Sequence, residues 1–264
     1  MPNEGTGFLP RILTIAKNAF REAVRDRILY NLIIFVLLIT ASAIFLGELT
    51  AGQEARVIVN LGLSSVLLFG TFIAIFVGVS LVWKEIEKRT VYSIFSKPIG
   101  RAEFIIGKYL GLCGTLFVNV LIMGIGVSLA LLYVGGGRLI GGVWGAVLLI
   151  FLELTIITAV AIMFSSFSTP ALSALLTFFV FLIGHFSSSL LDLATGIGSK
   201  AAIAVFTAVY VLLPNLSNFS FIANSANGDA PSLSWIGVAA AYAFLFDIIV
   251  MTITVVIFSR RNFK

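Results

Sequence analysis

Three ionisable side chains lie inside long apolar stretches of this 264-residue sequence: Glu153, His185 and Asp247. A carboxylate at the centre of a lipid bilayer costs about 2.5 to 3.5 kcal/mol on insertion scales, so it should face protein, water or a bound partner. One interpretation is that these residues line a translocation path or bind a cationic group. The other is structural, with His185 hydrogen-bonded to a carboxyl group, because intramembrane hydrogen bonds commonly hold helices together.

A second set of polar residues is concentrated in the interval 83–111, which carries nine charged side chains between two apolar stretches. Residues 84–96 have the spacing of a short amphipathic helix. Pro98 and Gly100 predict a turn, after which a second helix begins near Arg101. A charged helical hairpin of this kind can dock into a groove on a soluble partner. The alternative is an ordinary solvated loop.

The composition predicts the environment of these residues. The chain is 59% hydrophobic and 11% charged, with a mean hydropathy of +1.11, whereas soluble domains carry roughly 25% charged residues. We therefore expect an all-α integral membrane protein. No basic run is interleaved with aromatic residues, so no nucleic-acid partner is expected. A single cysteine and a single histidine exclude an intrachain disulfide, a multi-cysteine metal site and a histidine-rich metal site, and no catalytic constellation indicates an enzyme.

Apolar stretches of about 20 residues are long enough to cross a bilayer as helices. Six stretches qualify, and together they predict one transmembrane domain over residues 1–264 with spans at 29–46, 57–82, 110–134, 139–164, 171–191 and 233–258. A seventh apolar stretch, 201–213, would reach only about 20 Å as a helix. We expect it to be a re-entrant or interfacial helix within the outer segment 192–232.

The positions of the basic residues predict the orientation. With six spans both termini share one face, and of the 17 basic residues only Arg56, Arg138 and Lys200 fall on the other. Basic residues collect on the cytoplasmic side of membrane proteins. The sequence therefore predicts a multi-pass protein of the inner (plasma) membrane with both termini in the cytoplasm.

The N-terminal segment 1–28 is expected to contain an amphipathic helix. One side of it collects the apolar or small residues Ile12, Ile15, Ala16, Ala19, Ala23 and Val24. The opposite side collects the polar residues Arg11, Lys17, Asn18, Arg21, Glu22 and Arg25. Such a helix lies flat in the inner headgroup layer. At the start of the third span, Gly107 and Gly111 are four residues apart, and small residues at this spacing permit close helix packing.

Three motifs around the charged interval resemble the signature of ABC-2 type permeases. They are Glu-Ile-Glu-Lys-Arg-Thr at 85–90, Ser-Lys-Pro-Ile-Gly-Arg-Ala-Glu-Phe at 96–104 and Gly-Lys-Tyr-Leu-Gly at 107–111. More narrowly they are similar to the multi-copper enzyme maturation branch, the permeases of nitrous-oxide-reductase copper-site assembly. This sequence has Arg89 where the branch has a glycine before Thr90. Residues 20–27 resemble the family's elbow helix, and 213–215 resemble its last motif.

This resemblance implies the permease subunit of an ABC exporter, with a second permease subunit, identical or not, across the bilayer. Each permease would be seated on a cytoplasmic ATPase that binds ATP and Mg, while this chain has no phosphate-binding loop and no cofactor of its own. The hairpin 84–108 would be the coupling element. The coupling residues that the resemblance implies are Glu85, Glu87, Arg89, Thr90, Lys97, Pro98 and Arg101. The alternative is a secondary transporter or channel that uses Glu153, His185 and Asp247 as an ion relay.

Overall fold

The computed structural model describes residues 7–25, 27–50, 52–87, 100–187 and 200–260. Every regular element in these ranges is a helix, which confirms the all-α prediction. The α-helices are α1 (Phe8–Val24), α2 (Arg27–Glu48), α3 (Glu54–Glu87), α4 (Arg101–Tyr133), α5 (Ile140–Ser165), α6 (Pro170–His185), α7 (Lys200–Leu212), α8 (Ile222–Asn227) and α9 (Leu233–Arg260). Two 3-10 turns, Gly137–Leu139 and Leu216–Phe219, lie before α5 and α8.

Four helices of the described ranges are long and apolar enough to cross a membrane: Glu54–Glu85, Arg101–Tyr133, Gly137–Ser165 and Leu233–Arg260. They contain most or all of the second, third, fourth and sixth predicted spans. Helix α3 has 34 residues and is about 51 Å long, well beyond the roughly 30 Å of hydrocarbon. Its last turn continues through Lys84 to Glu87, and the rest of the predicted amphipathic helix 84–96 lies outside the described residues.

Helix α2 contains the whole of the first predicted span, 29–46, and within it Val36–Gly47 is a shorter apolar helix. The fifth predicted span corresponds to α6, Pro170–His185, which among the described residues is also a shorter apolar helix. The last residues of the predicted fifth span, 188–191, lie outside the described residues. The described residues therefore contain four candidate spans, or five if a bent pair of helices is counted as one.

That bent pair belongs to the predicted outer segment. Phe206–Leu212 and Leu216–Asn227 meet at 58° and together are long and apolar enough to enter a membrane. The bend follows from Pro214, which lacks a backbone N–H and disfavours helical geometry in the residue before it.

Helix α5 is the centre of the bundle and packs against α3, α4, α6 and α9. It is apolar around its whole circumference and most of its residues are buried, as expected for a helix surrounded by others. Close approach to α3 depends on Gly70, because a Cβ there would lie 2.6 Å from a methyl group of Leu154. An acid on such a helix, Glu153, must find its partner inside the protein.

Helix α1 packs along the first half of α4. Its buried residues are Ile12, Ala19 and Ala23, which are three of the six residues of the predicted apolar face, and this part of the face contacts protein rather than lipid. Gly107 and Gly111 of α4 allow this close packing, since a Cβ on Gly111 would lie 2.5 Å from the Ala16 carbonyl oxygen. The predicted packing role of these glycines is confirmed.

Candidate coupling surface and intramembrane acids

The N-terminal end of α4 gathers charged side chains from three helices, α1, α3 and α4 itself. We call this region the charged end and define it by Arg11, Glu22, Glu85, Arg101, Glu103 and Lys108. At its centre, the Lys108 ammonium lies 3.1 Å from Glu22 Oε2 on α1 and 3.2 Å from Glu85 Oε1 on α3. The Lys108 side chain is only 6% exposed. A buried ammonium needs such partners, so one side chain joins α1, α3 and α4.

Glu103 fixes the first turn of α4. Its Oε2 accepts a hydrogen bond from the Gly100 amide at 2.8 Å, and its Oε1 lies 3.8 Å from Arg11 Nη1 on α1. An acid in the third helical position satisfies an otherwise unpaired amide and complements the positive end of the helix dipole. The start of α4 is thus tied to the start of α1.

Arg101 connects the same turn to the far end of the chain. Its Nη1 donates to the backbone carbonyls of Ser259 and Phe258, the latter at 3.3 Å, in the last turn of α9. The rings of Phe104 and Phe258 stack beside this contact with centroids 5.9 Å apart. Carbonyls at a helix C-terminus lack intrahelical donors and favour cations, so Arg101 caps α9.

These contacts place some of the predicted coupling residues. Glu85 and Arg101 lie at the charged end and bind other helices of this chain. Glu87 is the last residue of α3. The remaining predicted coupling residues lie outside the described residues: Arg89, Thr90, Lys97 and Pro98.

Two of the three predicted intramembrane residues form a pair. Glu153 Oε1 on α5 lies 3.4 Å from His185 Nδ1 on α6. Glu153 is 1% exposed, and its Oε2 has no hydrogen-bond partner among the described residues. The His185 ring packs against Phe181 and Phe186 at 5.7 Å. The pair links two helices inside an otherwise apolar environment.

The third predicted residue, Asp247, has a different partner. Its Oδ2 accepts a hydrogen bond of 2.8 Å from the Tyr109 hydroxyl on α4. Both residues line a cavity of about 760 Å³ between α4, α5 and α9, together with Cys113 and Thr155. Glu153 and Thr155 are two residues apart on α5, which is about 200° around the helix. Glu153 therefore points away from the cavity of Asp247, and the three residues do not form one cluster.

A family profile described as ABC-2 family transporter protein matches residues 13–262. The match covers nearly the whole chain, from α1 to the end of α9. This chain belongs to the ABC-2 transporter family. It is therefore a multi-pass membrane protein and a transport subunit of the ABC permease type, a kind of subunit that is generally not catalytic itself. No curated protein matches the sequence significantly.

Sequence reasoning missed the central residue of the charged end of this ABC-2 permease. In the sequence, Lys108 is one of the nine charged residues of the interval 83–111, and Glu22 is one polar residue of the amphipathic N-terminal helix. Lys108 follows Gly107, which contacts α1, and a lysine beside a close helix contact could have signalled burial. Tyr109 has the typical position of an interfacial aromatic residue, so its hydrogen bond to Asp247 was not foreseen.

The motif at 213–215 forms a junction that connects α6, α7 and α9. The Asn215 amide N–H donates to the Tyr242 hydroxyl at 2.8 Å, and its side chain binds Ser187 and Tyr210. The chain passes very close to α6 here, because a Cβ on Gly184 would lie 2.6 Å from the Pro214 carbonyl oxygen. Asn215 thus anchors the bent pair of helices to α9, next to the close contact with α6.

Proposed function

We propose that this ABC-2 permease is the six-span subunit of an exporter driven by a separate cytoplasmic ATPase. In this proposal α2 and α6 complete the six spans, α7 and α8 form a re-entrant segment, and both termini lie in the cytoplasm beneath the inner membrane. Two permease subunits, each with an ATPase that binds ATP and Mg, make the transporter. The motifs at 85–90, 96–104 and 107–111 support assignment to the multi-copper enzyme maturation branch.

The observation that carries the proposal is the connectivity of the charged end. The interval 88–99 is attached to α3 on one side and to α4 on the other. Lys108 joins those two helices to α1, and Arg101 joins α4 to α9. A displacement of the hairpin by a bound ATPase would therefore move four helices together. Buried charge pairs resist separation, which makes this end suitable for transmitting force.

The exposed face of α1 supports an interfacial position. Leu9 and Leu13 are exposed apolar residues, and Lys17 and Arg21 are exposed basic ones. Apolar side chains beside basic residues match the inner headgroup layer, where anionic lipids lie. In our proposal α1 is held to α4 by its buried face and rests on the membrane with this one.

Co-purification tests the coupling proposal. The tagged chain, isolated from its native membranes in mild detergent, should bring with it a chain that carries a Gly-x-x-x-x-Gly-Lys-Ser/Thr loop and hydrolyses ATP. Reversing two hairpin charges, Arg89→Glu with Lys97→Glu, should remove that chain. Arg138→Glu, an exposed charge at the opposite end, is the control and should retain it. Recovery of the wild-type protein without any ATP-hydrolysing chain would contradict the proposal.

We also propose that Glu153, His185 and Asp247 lie beside the translocation path. The alternative, a nucleotide-independent carrier or channel that uses the three residues as one relay, is less well supported because Glu153 points away from the Asp247 cavity. Transport measured in liposomes separates the two ideas. A carrier should work without nucleotide, whereas the proposed exporter should not. Normal transport by the double variant Glu153→Gln, Asp247→Asn would exclude a path role for both acids.

A further inference from the structure

The cavity between α4, α5 and α9 has the size of a small-molecule site. Its volume of about 760 Å³ lies within the roughly 300 to 1,000 Å³ of ligand pockets. Most of its lining is apolar, with Leu110, Leu152 and Phe244 among the contributing side chains. A few polar groups converge on it, which is the usual composition of sites that bind a largely apolar ligand.

The cavity is elongated along the last helix. Its lining residues on α9 run from Ala240 to Val256, which is about 24 Å of helix. On α4 they run from Ala102 to Cys113, or about 16 Å. A space of this length suits an extended alkyl chain better than a compact ion.

Asp247 gives the cavity its charge. The residue is 8% exposed, and its Oδ1 has no hydrogen-bond partner in the part of the chain that the structure describes. Thr155 also lines the cavity, but its single hydroxyl proton is donated to the Leu152 carbonyl at 2.7 Å. None of the lining residues found among the described residues is basic. An acid so placed is costly, and a cationic ligand would supply the missing partner.

We propose that this cavity binds an amphiphilic amine, with its ammonium group at Asp247 and its alkyl chain extended along α9. The Tyr109 hydroxyl holds one carboxyl oxygen and leaves the other to accept from the ammonium. Hydrogen bonds between ionised groups are about twice as strong as neutral ones, and burial of the chain adds roughly 0.8 kcal/mol per CH₂. The proposal depends on the cavity and not on ATPase coupling, so its failure would leave the proposed function standing.

The chain carries its own reporter for this test. Cys113 is the single cysteine of the sequence and lines the cavity. In detergent-solubilised protein without nucleotide, its modification by methanethiosulfonate ethylammonium is compared with that by methanethiosulfonate ethylsulfonate. We expect the cationic reagent to react at least tenfold faster than the anionic one after correction for their rates with a free thiol. Dodecylamine should slow both reactions, while dodecanol should slow them much less.

Asp247→Asn should bring the two corrected rates together and abolish the advantage of dodecylamine over dodecanol. Asp229→Asn is the matched control, since it makes the same substitution at an exposed site and should leave both effects unchanged. Tyr109→Phe keeps the carboxyl group and should retain protection by dodecylamine, which keeps the proposal testable if Asp247→Asn does not fold. Equal corrected rates in the wild type, equal protection by amine and alcohol, or no reaction of Cys113 with either reagent would overturn the proposal.

Discussion

The charged end and the intramembrane acids both bury ionised or ionisable groups, but they satisfy them differently. At the charged end Lys108 contacts two carboxylates on two other helices, and Glu103 uses both oxygens. Deeper in the bundle, Glu153 and Asp247 each have one partner and one oxygen without a hydrogen bond among the described residues. We call the charged end a closed network, because its charged groups contact partners on other helices. We call the core acids open, because each keeps one oxygen without a hydrogen bond among the described residues.

This difference distinguishes polar residues that stabilise the fold from polar residues that contact a ligand. A buried polar network that is fully satisfied makes one arrangement of helices rigid, whereas a partly satisfied group is costly and indicates a role beyond packing. We therefore assign force transmission to the charged end and ligand contact to the acids of the core. Substitutions at the charged end should mainly reduce stability, and those at the core acids should mainly change binding and transport.

The strongest test of the comparison is Lys108→Met, which removes the ammonium contacted by Glu22 and Glu85 and keeps the apolar length of the side chain. Breaking a fully buried ion pair costs roughly 3 to 5 kcal/mol. Since Glu22 is partly exposed, we expect a loss near the lower limit, about 3 kcal/mol. Thermal unfolding of the purified protein in detergent would show this as a clearly lowered midpoint.

Lys17→Met is the matched control for Lys108→Met, because Lys17 is exposed on α1 and loses the same charge. Its unfolding midpoint should stay close to that of the wild type. If the two variants unfold at the same temperature, the charged end is not a closed network and its proposed rigidity fails.

The second largest effect on stability is expected where α1 packs against Gly111 of α4. In Gly111→Ala the new methyl group would lie 2.5 Å from the Ala16 carbonyl oxygen, so α1 must move away from α4. Forcing an extra methyl into a packed contact costs about 1 to 3 kcal/mol. We expect about 2 kcal/mol here, measured again as a shift of the unfolding midpoint, together with faster proteolysis of α1.

Gly114→Ala separates this steric effect from the general effect of replacing glycine on α4. Its methyl group would lie 3.5 Å from the Phe20 ring, which is ordinary contact, and alanine favours a helix by about 0.8 to 1 kcal/mol over glycine. Gly114→Ala should therefore be neutral or stabilising. Loss of stability by both variants to the same degree would mean that α1 is not held by the close contact at Gly111.

Much of this fold follows from local features of the sequence. Continuous hydropathy predicts the long helices α3, α4, α5 and α9, because a helix that crosses the membrane needs about 20 consecutive, mainly apolar residues. Pro98 and Gly100 predict the start of α4 at Arg101, where the structure has it. The helical period of the N-terminal segment identifies the buried face of α1, because periodicity reports which side of a helix is apolar.

What the sequence could not predict is which surfaces meet. The period of α1 does not distinguish lipid from protein, so its docking on Gly107 and Gly111 appears only in the structure. Arg101 contacts backbone carbonyls more than 150 residues away in the sequence. Every residue has a backbone carbonyl, so the sequence cannot indicate which of them accepts such a hydrogen bond. For His185 the sequence left two carboxyl partners possible. The structure selects Glu153, because α5 packs against α6 while Asp247 faces Tyr109.

The smallest expected effect concerns this pair of Glu153 and His185. Hydrogen bonds between membrane helices contribute on average about 0.6 kcal/mol, because the separated helices also find partners. A double-mutant cycle with Glu153→Gln and His185→Gln should give a coupling energy of this order. Neutralising Glu153 also removes a costly buried acid, so the single variant should lose little stability and could gain some.

Transport decides what such a weak pair is for. Suppose that Glu153→Gln leaves the unfolding midpoint nearly unchanged but reduces transport severalfold. Glu153 Oε2, which has no hydrogen-bond partner among the described residues, would then act in the translocation path, and Glu153 would differ clearly from the stabilising residues of the charged end. A coupling energy of 3 kcal/mol or more, the magnitude of a closed buried pair, would instead place Glu153 and His185 in the same class as Lys108. The division between a rigid end and an open core would then be wrong.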